Sequence, residues 1–154
     1  MSNHLDYEIN KELGECYLFM GELDKAEDYY TKAAASGEDQ SDPYMGLATI
    51  AMQRGDMDGA LTNYSKAATI QESDKALTGL GLVHMNQNDH EKAFSLFSRA
   101  LDINPANAVA LGCLVKEGYA LRRVEEILPY LSASLEATNE ENTRITLALS
   151  LIHI

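Results

Sequence analysis

One pattern occurs three times in this chain, and it constrains the fold more than any other feature. The segments from Gly21 (GELDKAEDYYTKAAA), Gly55 (GDMDGALTNYSKAATI) and Asn88 (NDHEKAFSLFSRALDINP) align Ala26 with Ala60 and Ala93. They also align Tyr30 with Tyr64 and Phe97, and Ala33 with Ala67 and Ala100, at intervals of 34 and 33 residues. A period of that length predicts stacked helical hairpins, each covering its apolar face with the next. Each copy reads as a turn, a helix with a small-residue stripe, and a link to the next helix. Trp is absent, so the large packing groups must come from 8 Tyr and 3 Phe.

Upstream of each copy lies a second helical pattern. Ile9, Leu13, Cys16, Tyr17 and Met20 recur at helical spacing in the first unit, with Gly14 inside the run. A glycine there costs about 1 kcal/mol against alanine, a cost explained by close approach of the paired helix. Ser41-Asp42-Pro43 supplies a cap and an early proline for the second unit. The third starts near Asp74 and turns Leu77, Leu80, Gly81 and His84 inward. After Pro105 the details decay. Leu111, Leu114, Val115 and Gly118 hold one helix. Ile127, Leu131 and Ser134 stand in for the alanine, aromatic and alanine of the other, and Pro129 falls inside it. There a proline removes a backbone hydrogen bond, costing about 3 kcal/mol unless the helix kinks or starts later. The expected organisation is one domain over 1–154, with repeats at about 7–40, 41–73 and 74–107. A degenerate repeat at 108–141 and a terminal helix at 142–154 complete it, giving an all-α chain of about nine helices.

Charge and composition exclude several function classes. With 12 basic against 24 acidic residues the formal charge is −12, which disfavours nucleic acid and anionic membrane as partners. No apolar stretch reaches the length of a membrane span. Cys16 and Cys113 are too few for a disulfide framework and are expected as buried free thiols in a cytoplasmic protein. His4, His84, His90 and His153 form no metal-binding spacing, so no metal or cofactor is expected. His84 is expected as a hydrogen-bonded core residue. Gly79-Leu80-Gly81 lies within a helical pattern and lacks the strand and lysine of a phosphate loop. Adjacent acids such as Glu125-Glu126 suit helix starts better than acid–base catalysis. The chain does not read as an enzyme.

The repeated positions resemble the tetratricopeptide repeat. The third unit matches as Leu77, Leu80, Gly81, His84, Asn88, Ala93, Phe97, Ala100 and Pro105. The second matches as Tyr44, Leu47, Ala48, Ala51, Gly55, Ala60, Tyr64 and Ala67. The first matches as Leu13, Gly14, Tyr17, Gly21, Ala26, Tyr30 and Ala33. The resemblance implies a right-handed superhelical solenoid of antiparallel helix pairs. It also implies a concave groove, lined by the first helix of each pair, that binds a peptide or helix of a partner protein. The groove positions it implies are Lys11, Glu15 and Phe19, then Met45, Thr49, Met52 and Gln53. Lys75, Leu82, Met85 and Asn86 follow, with Lys116 and Tyr119 extending the line. Its centre is rich in methionine, whose flexible thioether suits an adaptable apolar surface.

Members of the family that clamp a partner's C-terminal carboxylates use five basic and amide side chains. Only Lys11 and Lys75 match here; Glu15, Gly46 and Gly79 replace the others, and Glu15 would repel a carboxylate. Small secretion chaperones of the family share this chain's size and acidity, without a shared motif. A structural or self-associating scaffold is the other alternative. The apolar stripe Leu147, Leu151 and Ile154 on the last helix is then a face for a homodimer or a downstream domain.

Overall fold

The computed structural model describes the backbone of residues 2–37 and 39–152 and the side chains of residues 4–37 and 39–141. Eight helices follow one another with no strand among the described residues. They are α1 (Ser2–Phe19), α2 (Leu23–Ser36), α3 (Asp42–Arg54), α4 (Met57–Ile70), α5 (Asp74–Asn86), α6 (His90–Ile103), α7 (Ala108–Ala120) and α8 (Val124–Ile152). Each helix packs on its neighbours in sequence, and α1, α3, α5 and α7 also touch in succession. The result is a solenoid with one row of first helices and one of second helices.

Short polar turns set the boundaries. Asp56 Oδ1 accepts from the Gly59 N–H at 2.9 Å, Ser73 Oγ from Ala76 N–H at 3.1 Å, and Asn107 Oδ1 from Ala110 N–H at 2.9 Å. Asp89 does the same for Lys92 at 3.4 Å. Each contact satisfies a donor that the first helical turn leaves free. Within each pair the chain reverses through one left-handed residue, with φ of 79° at Gly21, 76° at Gly55, 60° at Asn88 and 57° at Arg122. These four positions keep the repeat register into the fourth unit, although only the first two are glycine.

The core is a row of aromatic wedges. Tyr30, Tyr64 and Phe97 are buried, and each ring lies against backbone where a side chain is missing. A methyl group built on Gly14 would stand 2.9 Å from the Tyr30 ring, and one on Gly46 only 2.4 Å. A methyl group on Gly79 would likewise stand 2.4 Å from the Tyr64 ring, and one on Gly81 2.6 Å from the Phe97 ring. Tyr30 and Tyr64 therefore join their own repeat to the next. Ala26, Ala33, Ala60, Ala67, Ala93 and Ala100 have no exposed surface, since helix contact at this distance leaves room only for a methyl group.

Three expectations need correction. Cys16 is exposed, because no described helix covers the outer face of α1, and Cys113 is half-buried on α7 at the edge of the core around Leu77, Phe97 and Leu114. His84 is half-buried, but its Nδ1 has no hydrogen-bond partner; the Asp89 carboxylate lies 3.8 Å away. Leu131 is 40% exposed and does not replace the wedge, whereas Ile127 is buried and meets Gly118. The eight described helices are close to the expected nine or so, the last hairpin helix and the terminal segment running on as one helix in α8. No glycine or proline follows Pro129 to break α8, and Pro129 itself is exposed near its start, where water can reach the freed carbonyl of Glu125.

Candidate partner-binding groove

The first helices carry the positions expected for a groove in succession but bury them unequally. Met45 and Met52 are half-buried against the cluster of Ala48, Ala51, Ala60, Tyr64 and Val83. Leu82 and Met85 pack in the same way on the cluster around Leu77, Phe97 and Leu114. Each of these side chains seals a seam between repeats and keeps part of its surface in water. Thr49 is half-buried, its hydroxyl donating to the Met45 carbonyl at 2.9 Å. Glu15, Gln53, Lys75, Asn86 and Lys116 are exposed. Phe19 and Tyr119, near the two ends of the row, are 94% and 64% exposed.

Lys11 is not a free cation. Its ammonium lies 3.2 Å from Glu8 and 5.8 Å from the centre of the Tyr7 ring, and its pKa is raised chiefly by the Glu8 hydrogen bond. The glycines at two clamp positions are occupied differently again. Gly46 and Gly79 lie flat against Tyr30 and Tyr64, so a side chain there would displace a wedge before it reached a ligand. Of the five clamp positions, two thus belong to the core, one is acidic and one lysine is already paired.

The structure adds a polar junction that spacing alone did not reveal. Asn107 Nδ2 donates to Asp74 Oδ2 at 2.8 Å and to Thr78 Oγ1 at 3.3 Å, and Asn104 Nδ2 donates to Asp74 Oδ2 at 3.1 Å. Partial burial pushes the Asp74 carboxyl up. The Asn107 and Asn104 amides and the backbone N–H groups at the start of α5 outweigh that effect and hold it below the usual carboxylate range. This junction ties the third repeat to the fourth beside a depression of about 350 Å³ bordered by Lys75, Leu82 and Val109. Its one sequence signal is the position of Asn107, which both caps α7 and reaches back a full repeat.

Other charged pairs lie away from this row. Arg54 reaches Asp24 at 2.6 Å and also Glu27, Arg99 reaches Glu72, and Arg123 reaches Glu91 at 2.8 Å and also Glu126. Except for the local Arg123–Glu126 contact, these exposed pairs link neighbouring repeats, and each contributes little. Glu117 differs, being 1% exposed, with its carboxylate 2.5 Å from His90 Nδ1. Leu147 and Leu151 fall outside the side chains described, and Ile154 outside the described residues altogether.

The tetratricopeptide repeat family model matches residues 11–75 and 45–108, together well over half of the chain, and the chain belongs to that family. Among curated proteins, the bovine (Bos taurus) BBSome complex member BBS4 is 33% identical over 110 residues, covering 71% of this chain and 21% of the relative. The mouse (Mus musculus) counterpart is 34% identical over 84 residues, covering 54% of this chain and 16% of the relative. The chain thus spans about a fifth or less of the length of these relatives. Among solved structures, the Arabidopsis OM64 TPR domain superposes with a TM-score of 0.73 at 22% identity, covering 77% of this chain and 98% of that one. A crystal structure of MamA gives 0.75 at 19% identity over 89% and 81%. The first TPR of Spaghetti (RPAP3), bound to an HSP90 peptide, gives 0.72 at 24% identity over 77% and 94%. All three show the same solenoid of helix pairs.

Proposed function

We propose that this chain is a non-enzymatic protein-interaction module whose concave groove binds a peptide or helix of a partner protein. The observation that carries the reading is the half-buried line Met45, Met52, Leu82 and Met85, supported by the solid core beneath it. Those side chains offer apolar contact that can adjust to its occupant, at little cost in rearranging the scaffold. Glu15, Thr49, Gln53, Lys75 and Asn86 border the line with hydrogen-bonding groups, and Phe19 and Tyr119 offer aromatic contacts toward its ends. Two solved neighbours hold short peptides of HSP90 and HSP70, which supports the general mode. Their particular ligand does not carry over, because Gly46 and Gly79 are closed by tyrosine rings and Glu15 is acidic. The preferred ligand is an apolar segment held by its side chains, not by a terminal carboxylate. The free cysteines are compatible with the reducing cytoplasm.

The test is a double substitution, Met52→Glu with Met85→Glu, followed by capture of partners from the native host by wild type and variant. Helical circular dichroism is expected to persist while groove-dependent partners drop from the captured set by at least tenfold. Equal capture by a variant that folds normally refutes the groove reading.

A further inference from the structure

An exposed apolar strip runs along the outer face of α1, away from the positions proposed for the groove. The repeat register shows what such a face does elsewhere. On α3, Pro43, Gly46 and Ile50 are buried beneath the preceding helix pair, and on α5 the same positions, Ala76, Gly79 and Val83, are buried in the same way. The α1 residues in that register are Ile9, Glu12 and Cys16, and all three are exposed. Ile9 is 48% exposed, while Leu5 and Met20 extend the apolar strip at 61% and 63%. The strip has the spacing and composition of a face that packs on a helix, yet no described residue covers it.

Its centre departs from the other two. Gly46 and Gly79 are bare because Tyr30 and Tyr64 rest on them. In α1 that place belongs to Glu12, whose side chain is 63% exposed and only at the edge of ion-pair range from Lys11, at 3.9 Å. Glu8 and Glu15 stand one turn to either side of it. An aromatic wedge would clash with Glu12 and strip water from its carboxylate without replacing it. A lysine or arginine at the wedge position would neutralise it instead. Two copies meeting through this face would bring Glu8, Glu12 and Glu15 against the same carboxylates, an arrangement that repels.

We propose that the outer face of α1 docks an amphipathic helix whose apolar stripe carries a lysine or arginine where this chain's own second helices carry tyrosine. The apolar strip supplies contact area, and Glu12 supplies the selection for charge. The partner is a basic amphipathic helix, distinct from the occupant proposed for the groove.

The probes are two stapled peptides copying Met57–Ile70, one retaining Tyr64 and one with Tyr64→Lys, each labelled for fluorescence anisotropy. The full chain is expected to bind the Tyr64→Lys peptide at least tenfold more tightly than the tyrosine peptide. Glu12→Gly, which recreates the bare site of α3 and α5, is expected to reverse that preference. Met52→Glu is expected to leave both affinities unchanged, since it lies on the groove. Equal affinity for the two peptides, a preference unmoved by Glu12→Gly, or no binding at millimolar peptide would each overturn the proposal. So would sedimentation showing that the wild-type chain dimerises through this face and that Ile9→Ser abolishes the dimer.

Discussion

Replacing one glycine with alanine should have opposite effects at two places in this solenoid, although both lie within first helices. In α7, Gly112 is exposed and a methyl group built on it meets nothing within 4 Å. Alanine there gains helix propensity of about 0.8–1.0 kcal/mol and loses nothing in packing. In α3, the same methyl group on Gly46 would stand 2.4, 2.5 and 2.6 Å from three atoms of the Tyr30 ring. That ring is buried and also contacts Gly14, so it has little room to retreat. Overpacking of this kind costs about 1–3 kcal/mol, and three simultaneous clashes belong at the upper end. Subtracting the propensity gain leaves Gly46→Ala destabilised by about 2 kcal/mol, against a stabilisation approaching 1 kcal/mol for Gly112→Ala. For a chain of this size, each 1 kcal/mol moves Tm by about 2–4 °C. Thermal and urea unfolding followed by circular dichroism should therefore show Gly46→Ala lowered by about 4–8 °C and Gly112→Ala raised by about 2–4 °C. A neutral Gly46→Ala, or a destabilised Gly112→Ala, would refute the view that the tyrosine wedges set the distance between repeats.

Two further predictions concern buried ionisable groups. Burial, with Glu15 and Asp42 adding to it, pushes the Tyr30 hydroxyl up to about 12, so the fold favours its neutral form. That contribution is intact below the unfolded-state value near 10 and is lost as pH rises from about 10 toward 12, a loss on the order of 2 kcal/mol. Urea midpoints at both ends of that window should fall less for Tyr30→Phe than for wild type; an equal fall contradicts the assignment. At the other junction, His90→Ala leaves the Glu117 carboxylate buried without its imidazole, and should cost about 2–4 kcal/mol in urea unfolding. Glu117 occupies the register of Val83, so adding Glu117→Val to His90→Ala should restore most of the loss. A double variant no more stable than the single one shows that the pair does not act as a unit.

Much of the scaffold was legible because its periodic residues perform local tasks. Ala93, Phe97 and Ala100 fall on one face of any helix they form, and a repeat of 33 or 34 residues leaves each such face for its neighbour. Gly21 and Gly55 marked reversals whatever surrounded them. The candidate groove is legible in the sequence only as a line of positions, since periodicity locates a side chain on a helix without saying how far the next helix covers it. Spacing thus places Lys11 on its helix without showing that Glu8 engages it, and marks Gly46 as a departure from the clamp pattern without showing that the Tyr30 ring rests on it.

By itself the sequence determined the helix pairs, their order and their register, because caps, reversals and apolar spacing act within about one turn of each residue. Tertiary structure decided what each register position means. Position for position, Gly46 and Gly79 are covered by a ring while Glu12 faces water, and Val83 is buried in hydrocarbon while Glu117 is buried against a histidine. Burial depends on the neighbouring helix, and that neighbour is set by the stacking of hairpins separated by more than thirty residues.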